Sequence, residues 1–325
     1  MLNKLYVSAR SLVRTPLNRL LNRIDPPVIV LIYHRVTTLP SDPDMLAVSP
    51  DNFRQQMRYL KETVPLVRFE DDWTKAVKPA ICITFDDGYA DNALEALPIL
   101  EEVGVPATFF VSTGTIDTNQ AFWWDELELI IIKNPNLPSS LTLNDNRSVI
   151  TWPTGTLSGR QKFYQDIVQT MKNTSIKKRN DLLGQLRHWA GTGEEIAGTH
   201  RAMTVDELRL LAKNRWVTIG AHTVTHTRLS SLPPAAQAEE IAASKKQLEE
   251  WLGRGIKVFS YPFGRRCDYT KDTVGLCRGV GFAKAAANFA GQTHSWTDPY
   301  QIPRHLVRNW PLDTFTAKLR EFWTR

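Results

Sequence analysis

Two carboxylates stand side by side at Asp86 and Asp87, in the segment TFDDGYAD that follows the apolar run AICITF. Adjacent carboxylates at the end of a buried strand repel each other, so they call for a cation or a raised pKa. Consecutive side chains point different ways, so the two can do different jobs. An Asp-Gly hairpin turn is the ordinary alternative, but the residues after Gly88 have helical spacing, not that of a second strand. A second segment, IGAHTVTH, sets His222 four residues before His226, just after the run WVTIG. That is one helical turn, close enough for one metal to meet both imidazoles. Taken alone, the spacing is also that of two histidines on a solvated turn. One Asp with two His makes a three-ligand set with positions left open for water and substrate. Zn²⁺ suits it best, and Ni²⁺, Co²⁺ and Fe²⁺ are compatible. A metal-bound water is a nucleophile near neutral pH, and the remaining Asp can act as its general base.

Two more segments offer chemistry at strand ends. In FSYPFGRR the Pro262-Phe263-Gly264 turn can aim a backbone N–H at an oxyanion, although a plain Pro-Gly turn is the commoner use. In LIYHRV, His34 ends the apolar run VIVLIY. A lone strand histidine is more often structural than catalytic. Trp123, Trp124 and Trp296 are available to stack on sugar rings, but most tryptophans serve the core.

These residues need a frame. The runs VIVLIY, AICITF, ATFFV, WVTIG, KVFSY, FAKAAA and HLV read as buried strands. Helices are expected over residues 50–62, with Ser49 as cap and Pro50 at the first position. They are expected also over 92–103 up to Gly104, from a Thr204/Glu207 capping box to about residue 214, over 235–252 up to Gly253, near 272–278, and over 312–323. Strand and helix alternate, which implies parallel strands with helical crossovers. Active residues then belong at the carboxyl ends of the strands. The pattern does not separate a barrel from an open sheet, though the Gly-rich dinucleotide fingerprint is absent. Residues 117–203 are less regular, with one polar helical stretch near 160–189, and read as an insertion into a domain spanning 28–325.

The 325 residues are 42% hydrophobic and 23% charged, ordinary globular composition. A net charge of +6 is mild, and no basic cluster interleaved with aromatics appears, so no nucleic-acid partner is expected. Cys82, Cys267 and Cys277 do not form a disulfide scaffold. Residues 1–27 form a basic amphipathic segment. Lys4, Arg10, Arg14, Arg19 and Arg23 face only Asp25 within residues 1–25. An ordinary packed helix is the favoured reading, and peripheral contact with the inner membrane face is the sharper one. Pro16 interrupts either. Neither a signal peptide nor a membrane span is evident, so the cytoplasm is the expected location.

TFDDG, GAHTVTH and YPFG, in that order, resemble the three strongest motifs of the polysaccharide deacetylase family, carbohydrate esterase family four. The resemblance runs from about Val28 to Arg308. It implies a distorted (β/α) barrel of about seven units with an inserted helical segment, and metal-dependent hydrolysis of an N-acetyl group from an amino sugar in a glycan or glycan precursor. On its motifs, Asp86 matches the base, Asp87, His222 and His226 match the metal ligands, and the Phe263 N–H matches the oxyanion donor beside Tyr261. Ser260 stands where many members have Arg, and the usual late Leu-x-His acid is not clear. YHRV is similar to a permuted subgroup with an early YHxV, which implies His34 as general acid, with His305 in reserve. Arg304 is expected to orient a carboxylate. The same motifs would serve a deformylase or another amide hydrolase on a lipid-linked or non-sugar substrate. A non-catalytic glycan-binding module is disfavoured by the intact Asp-Asp-His-His set.

Overall fold

The computed structural model describes residues 21–118, 120–145, 148–193 and 198–324. Seven parallel strands build its frame: β1 (Val28–Tyr33), β2 (Ala80–Phe85), β3 (Ala107–Val111), β4 (Val217–Ala221), β5 (Val258–Ser260), β6 (Lys284–Ala286) and β7 (His305–Leu306). They lie in the order β6-β5-β4-β3-β2-β1-β7, with Leu66–Val67 as a short extra partner of β2. Strands β1 to β4 are buried along their whole length, which explains their continuous apolar runs.

One stretch of chain joins the two edges of this sheet. The Ala285 N–H donates to Pro299 O at 2.8 Å, the Ile302 N–H to Ala285 O at 3.1 Å, and the Ala287 N–H to Ile302 O at 2.8 Å. Three residues later, His305 pairs with Leu31 of β1. The sheet therefore curls into the expected distorted seven-unit barrel, with residues 299–306 as its seam. Register brings the strand ends level: Tyr33 lies opposite Phe85, Phe85 opposite Phe109, and Val111 opposite Ala221.

The helices are α1 (Pro50–Thr63), α2 (Leu97–Val103), α3 (Trp123–Leu127), α4 (Leu157–Lys172), α5 (Ile176–Ala190), α6 (Val205–Lys213), α7 (Pro234–Leu252), α8 (Lys271–Gly279) and α9 (Leu312–Phe322). Ser49 caps α1, and the Thr204/Glu207 capping box opens α6 with both of its hydrogen bonds made. Three details differ from expectation. The helix at residue 92 opens as a π turn, Asn92–Ala96, before α2. The polar stretch near 160–189 is two helices, because Asn173 ends α4 and Ser175 caps α5 by accepting from the Lys178 N–H. Between α3 and α4 stands an antiparallel hairpin, Ser140–Asp145 with Ser148–Pro153, in the stretch 117–203 that read as less regular.

Cys82 and Cys277 are buried, Cys267 is exposed, and all three are free thiols. Most of the basic N-terminal segment, residues 1–20, lies outside the described residues. Among the described residues, no helix is long and apolar enough to cross a membrane.

Candidate active site

The level strand ends place His34 after β1, Asp86 and Asp87 after β2, and His222 after β4. All four line one cleft of ≈ 260 Å³, together with His226, Phe263, Trp123 and Trp124. Backbone bonds set each side chain in place. Asp86 N–H donates to Tyr33 O at 3.0 Å and continues the β1–β2 ladder. Asp87 then turns left-handed, at φ 77°, and its carbonyl accepts the Ser112 N–H at 3.0 Å. Gly88 follows at φ 97°, where a Cβ would stand 3.0 Å from Val111 Cγ1. Left-handed backbone also occurs at Thr223 (66°), His226 (48°) and Phe263 (60°). Such conformations are costly for residues with side chains and persist where the surroundings enforce them. For the His222–His226 loop, α7 supplies the enforcement. Glu240 accepts the Val224 N–H at 3.0 Å, the Thr225 N–H at 2.9 Å and the Thr225 hydroxyl at 2.9 Å.

The ligand atoms of Asp87, His222 and His226 lie within 4.8 Å of one another, all buried. Asp87 Oδ1 is 3.3 Å from His226 Nε2 and 3.6 Å from His222 Nε2. His222 Nδ1 lies 2.7 Å from Ser260 O. A carbonyl only accepts, so Nδ1 carries a proton, and Nε2 faces the carboxylates: it donates to Asp87 when protonated and would meet a cation through its lone pair when not. Burial pushes Asp87 up, but hydrogen bonds from His222 and His226 outweigh it and hold the carboxyl well below its usual range. Burial pushes His226 down to about 4, only partly opposed by Asp87. For His222, Asp86 and Asp87 outweigh burial and raise the pKa. A buried carboxylate and two imidazoles, one already oriented through its far nitrogen, fit a divalent cation of borderline softness.

Asp86 has different partners. Arg304, in the seam between β6 and β7, donates from Nη1 to Oδ1 and from Nη2 to Oδ2, both at 2.7 Å. The guanidinium is itself held by Ala287 O at 2.8 Å and Thr84 Oγ1 at 3.2 Å. Ser260 completes the arrangement: its hydroxyl accepts from Arg304 Nη2 at 2.8 Å and donates to Asp86 Oδ2 at 3.2 Å. Burial raises the Asp86 pKa, but Arg304 first and His222 second outweigh it, leaving the carboxyl below its usual range.

His34 sits in the cleft, and its Nδ1 is buried with no hydrogen-bond partner among the described residues. Burial lowers its pKa, against the pull of Asp87 and Asp86. Phe263 lies in the cleft wall, and its N–H donates to no described residue.

Three other expected residues do not come to the cleft. The Tyr261 side chain packs in the core, stacked on Tyr269, with its hydroxyl donating to Tyr300 O at 2.9 Å. Strand alternation explains this, because the neighbouring Ser260 takes the inward position. His305 Nε2 meets Gly291 O at 2.9 Å, and its ring stacks on Phe322. Trp296 stacks on His294, outside the cleft.

Asp125, Glu128 and His200 form a second buried group with metal-ligand atoms. Arg35 reaches His200 Nδ1 at 3.0 Å, and Lys133 lies 2.8 Å from its Nε2 and 3.2 Å from Glu128. Arg35 also pairs with Asp91 at 2.9 Å, and His200 Nδ1 lies 3.4 Å from Asp125, so the group reads as part of an ion-pair network. It joins the site through Tyr89, which donates to Asp125 at 2.7 Å and accepts from Trp124 Nε1 at 2.7 Å.

The polysaccharide deacetylase family model matches residues 74–134 and 140–283. YxkH of Bacillus subtilis (strain 168) is 21% identical over 288 residues, which cover 86% of this chain and 70% of that protein. The structure of BC0361, a polysaccharide deacetylase from Bacillus cereus, matches with a TM-score of 0.59 at 18% identity, over 91% of this chain and 70% of that one. IcaB from Ammonifex degensii matches with a TM-score of 0.57 at 19% identity, over 92% and 97% of the two chains.

Proposed function

The chain belongs to the polysaccharide deacetylase family of hydrolases, and from that premise we propose that its cleft removes an N-acetyl group from an amino sugar of a glycan or glycan precursor. The observation that carries the reading is the division of labour between adjacent carboxylates. Asp87 faces two imidazoles, while Asp86 is gripped by a guanidinium. Asp87, His222 and His226 would hold a divalent metal, with Zn²⁺ the first choice for this ligand set. Bound there, the ion supplies an acidified water and a positive charge for the acyl carbonyl.

The chain's own residues do the rest. Asp86 accepts the proton of the attacking water. Arg304 keeps that carboxylate ionised and fixes its plane, so one geometry is held through the reaction. The Phe263 N–H, free of any described acceptor, donates to the developing oxyanion. His34, on the wall beside Asp86, gives a proton to the departing nitrogen. Trp123 and Trp124 form an aromatic wall for the sugar.

The test is acetate release from N-acetylated sugars by the metal-loaded protein. Turnover abolished by chelation and restored by metal supports the reading. A fully loaded protein that releases acetate from none of them contradicts it.

A further inference from the structure

The cleft that holds these carboxylates has a basic outer wall. Lys172 closes α4, Arg228 follows the histidine loop, and Arg265 follows the Phe263-Gly264 turn, and all three line the cleft. Three separate elements thus bring cations to one opening.

The two acids on that wall have other hydrogen-bond partners. Asp268 pairs with Arg228 at 3.0 Å and accepts the Arg265 backbone N–H at 2.9 Å. Asp44 accepts the Tyr164 hydroxyl at 2.6 Å. Neither the Lys172 ammonium nor the Arg265 guanidinium has an ion-pair partner among the described residues. Lys172 instead lies over the Phe263 ring, 4.6 Å from its centroid, which sets it beside the reaction centre. Burial lowers the Lys172 pKa; Asp44 and Asp268 oppose that, while Arg265 and Arg228 repel its charge. Three cations on that wall, Lys172, Arg228 and Arg265, face two carboxylates, Asp44 and Asp268, so one positive charge is left over and like charges repel. An oxyanion placed between them relieves that repulsion, and an arginine fork matches carboxylate or phosphate geometry.

We infer that the substrate is an acetamido sugar carrying an oxyanion, a carboxylate or a phosphate, within reach of Lys172 and Arg265. This rests on the deacetylase reading above and narrows it from amino sugars in general to anionic ones. The oxyanion sets orientation and on-rate, since charge complementarity steers encounter.

The experiment compares three probes on the metal-loaded protein: the neutral N,N′-diacetylchitobiose, N-acetylglucosamine 1-phosphate, and a disaccharide of glucuronate and N-acetylglucosamine. Both kcat/KM for acetate release and binding by calorimetry are measured. At least one anionic probe is expected to exceed the neutral one by tenfold or more, with the advantage shrinking as salt rises. The phosphate and the carboxylate arms identify which oxyanion is read. The double variant Lys172→Met/Arg265→Met is expected to cut that ratio at least tenfold, as is the single exposed-site variant Arg265→Met in part. Lys246→Met, on the far helix α7, leaves the ratio unchanged. Equal or better use of the neutral probe overturns the inference, while acetate release still upholds the deacetylase reading. An anionic preference that survives in the double variant also overturns it, because the metal centre then holds the anion. If no probe is turned over, the deacetylase reading falls. Calorimetry still decides the inference: tighter anionic binding that the double variant abolishes supports it, and equal or absent binding overturns it.

Discussion

Arg304 holds both carboxylate oxygens of Asp86, each at 2.7 Å, across 218 residues of sequence. The pair is buried, with the Arg304 side chain at 0% exposure. A bidentate guanidinium keeps a buried carboxylate charged where burial alone would neutralise it.

Replacing Arg304 by Met therefore shifts the acid limb of the pH profile. Arg304 lowers the Asp86 pKa, and burial raises it once the guanidinium is gone. The limb of kcat/KM that reports the base is expected to move to higher pH. The fold also loses stability, by about 3–5 kcal/mol, because one charge of a buried pair is left alone. The sign for the intact pair follows from its depressed folded pKa. Its contribution is present above the unfolded carboxyl value of about 3.9 and is lost as pH falls through the lower folded value. A pH–rate series and urea unfolding check both. An unmoved limb counts against the assigned pairing.

Glu240 should matter to the metal without touching it. It ties down the loop between His222 and His226 through three hydrogen bonds, and two residues of that loop are left-handed. Glu240→Ala is expected to weaken metal binding about 10–100-fold, the usual scale for losing support behind a ligand. Chelator competition measures it. An unchanged dissociation constant would show that the loop holds its shape unaided.

His34 and His305 should separate. His34→Ala is expected to lower kcat by about 10²–10⁴, the range for a lost acid–base group. His305→Ala removes a ring packed on Phe322 and is expected to lower the melting temperature far more than the rate. Steady-state kinetics and thermal unfolding of both variants distinguish the roles, and the reverse pattern would exchange them.

Gly88→Ala should destabilise the turn between the two carboxylates and α2. The new methyl meets Val111 Cγ1 at 3.0 Å from a backbone φ of 97°. About 1–3 kcal/mol is expected for holding a side chain there. A loss under about 0.5 kcal/mol, the scale of a neutral surface substitution, would mean that the turn relaxes freely.

How much of this was legible differed by residue. β1 and β2 were readable because strands buried on both faces must be apolar throughout, and those runs also announced where Asp86 and His34 would emerge. The capping box at Thr204 was readable because its chemistry is local. Arg304 carries no local signal. It lies in a seam whose strand is two residues long, and its partner is fixed by barrel closure. The expectation that it orients a carboxylate rested on family likeness alone. Tyr261 was placed beside the oxyanion donor on motif likeness, but alternation along β5 turns its ring to the core. Lys172 ends a helix at a place that read as the middle of one longer helical stretch near 160–189, so nothing near it in sequence pointed to the cleft. The hairpin strands at 140–145 and 148–153 do alternate, but they lie within the stretch that read as less regular.

Asp87, His222 and His226 are proposed to hold the metal while Asp86 moves the proton. The most direct measurement is metal content and acetate release on the same samples of wild type and Asp86→Asn. Both proteins are expected to carry bound metal, and only the wild type to turn over, with a loss of about 10² or more in the variant. A metal-loaded Asp86→Asn protein that releases acetate at the wild-type rate would contradict that division of roles.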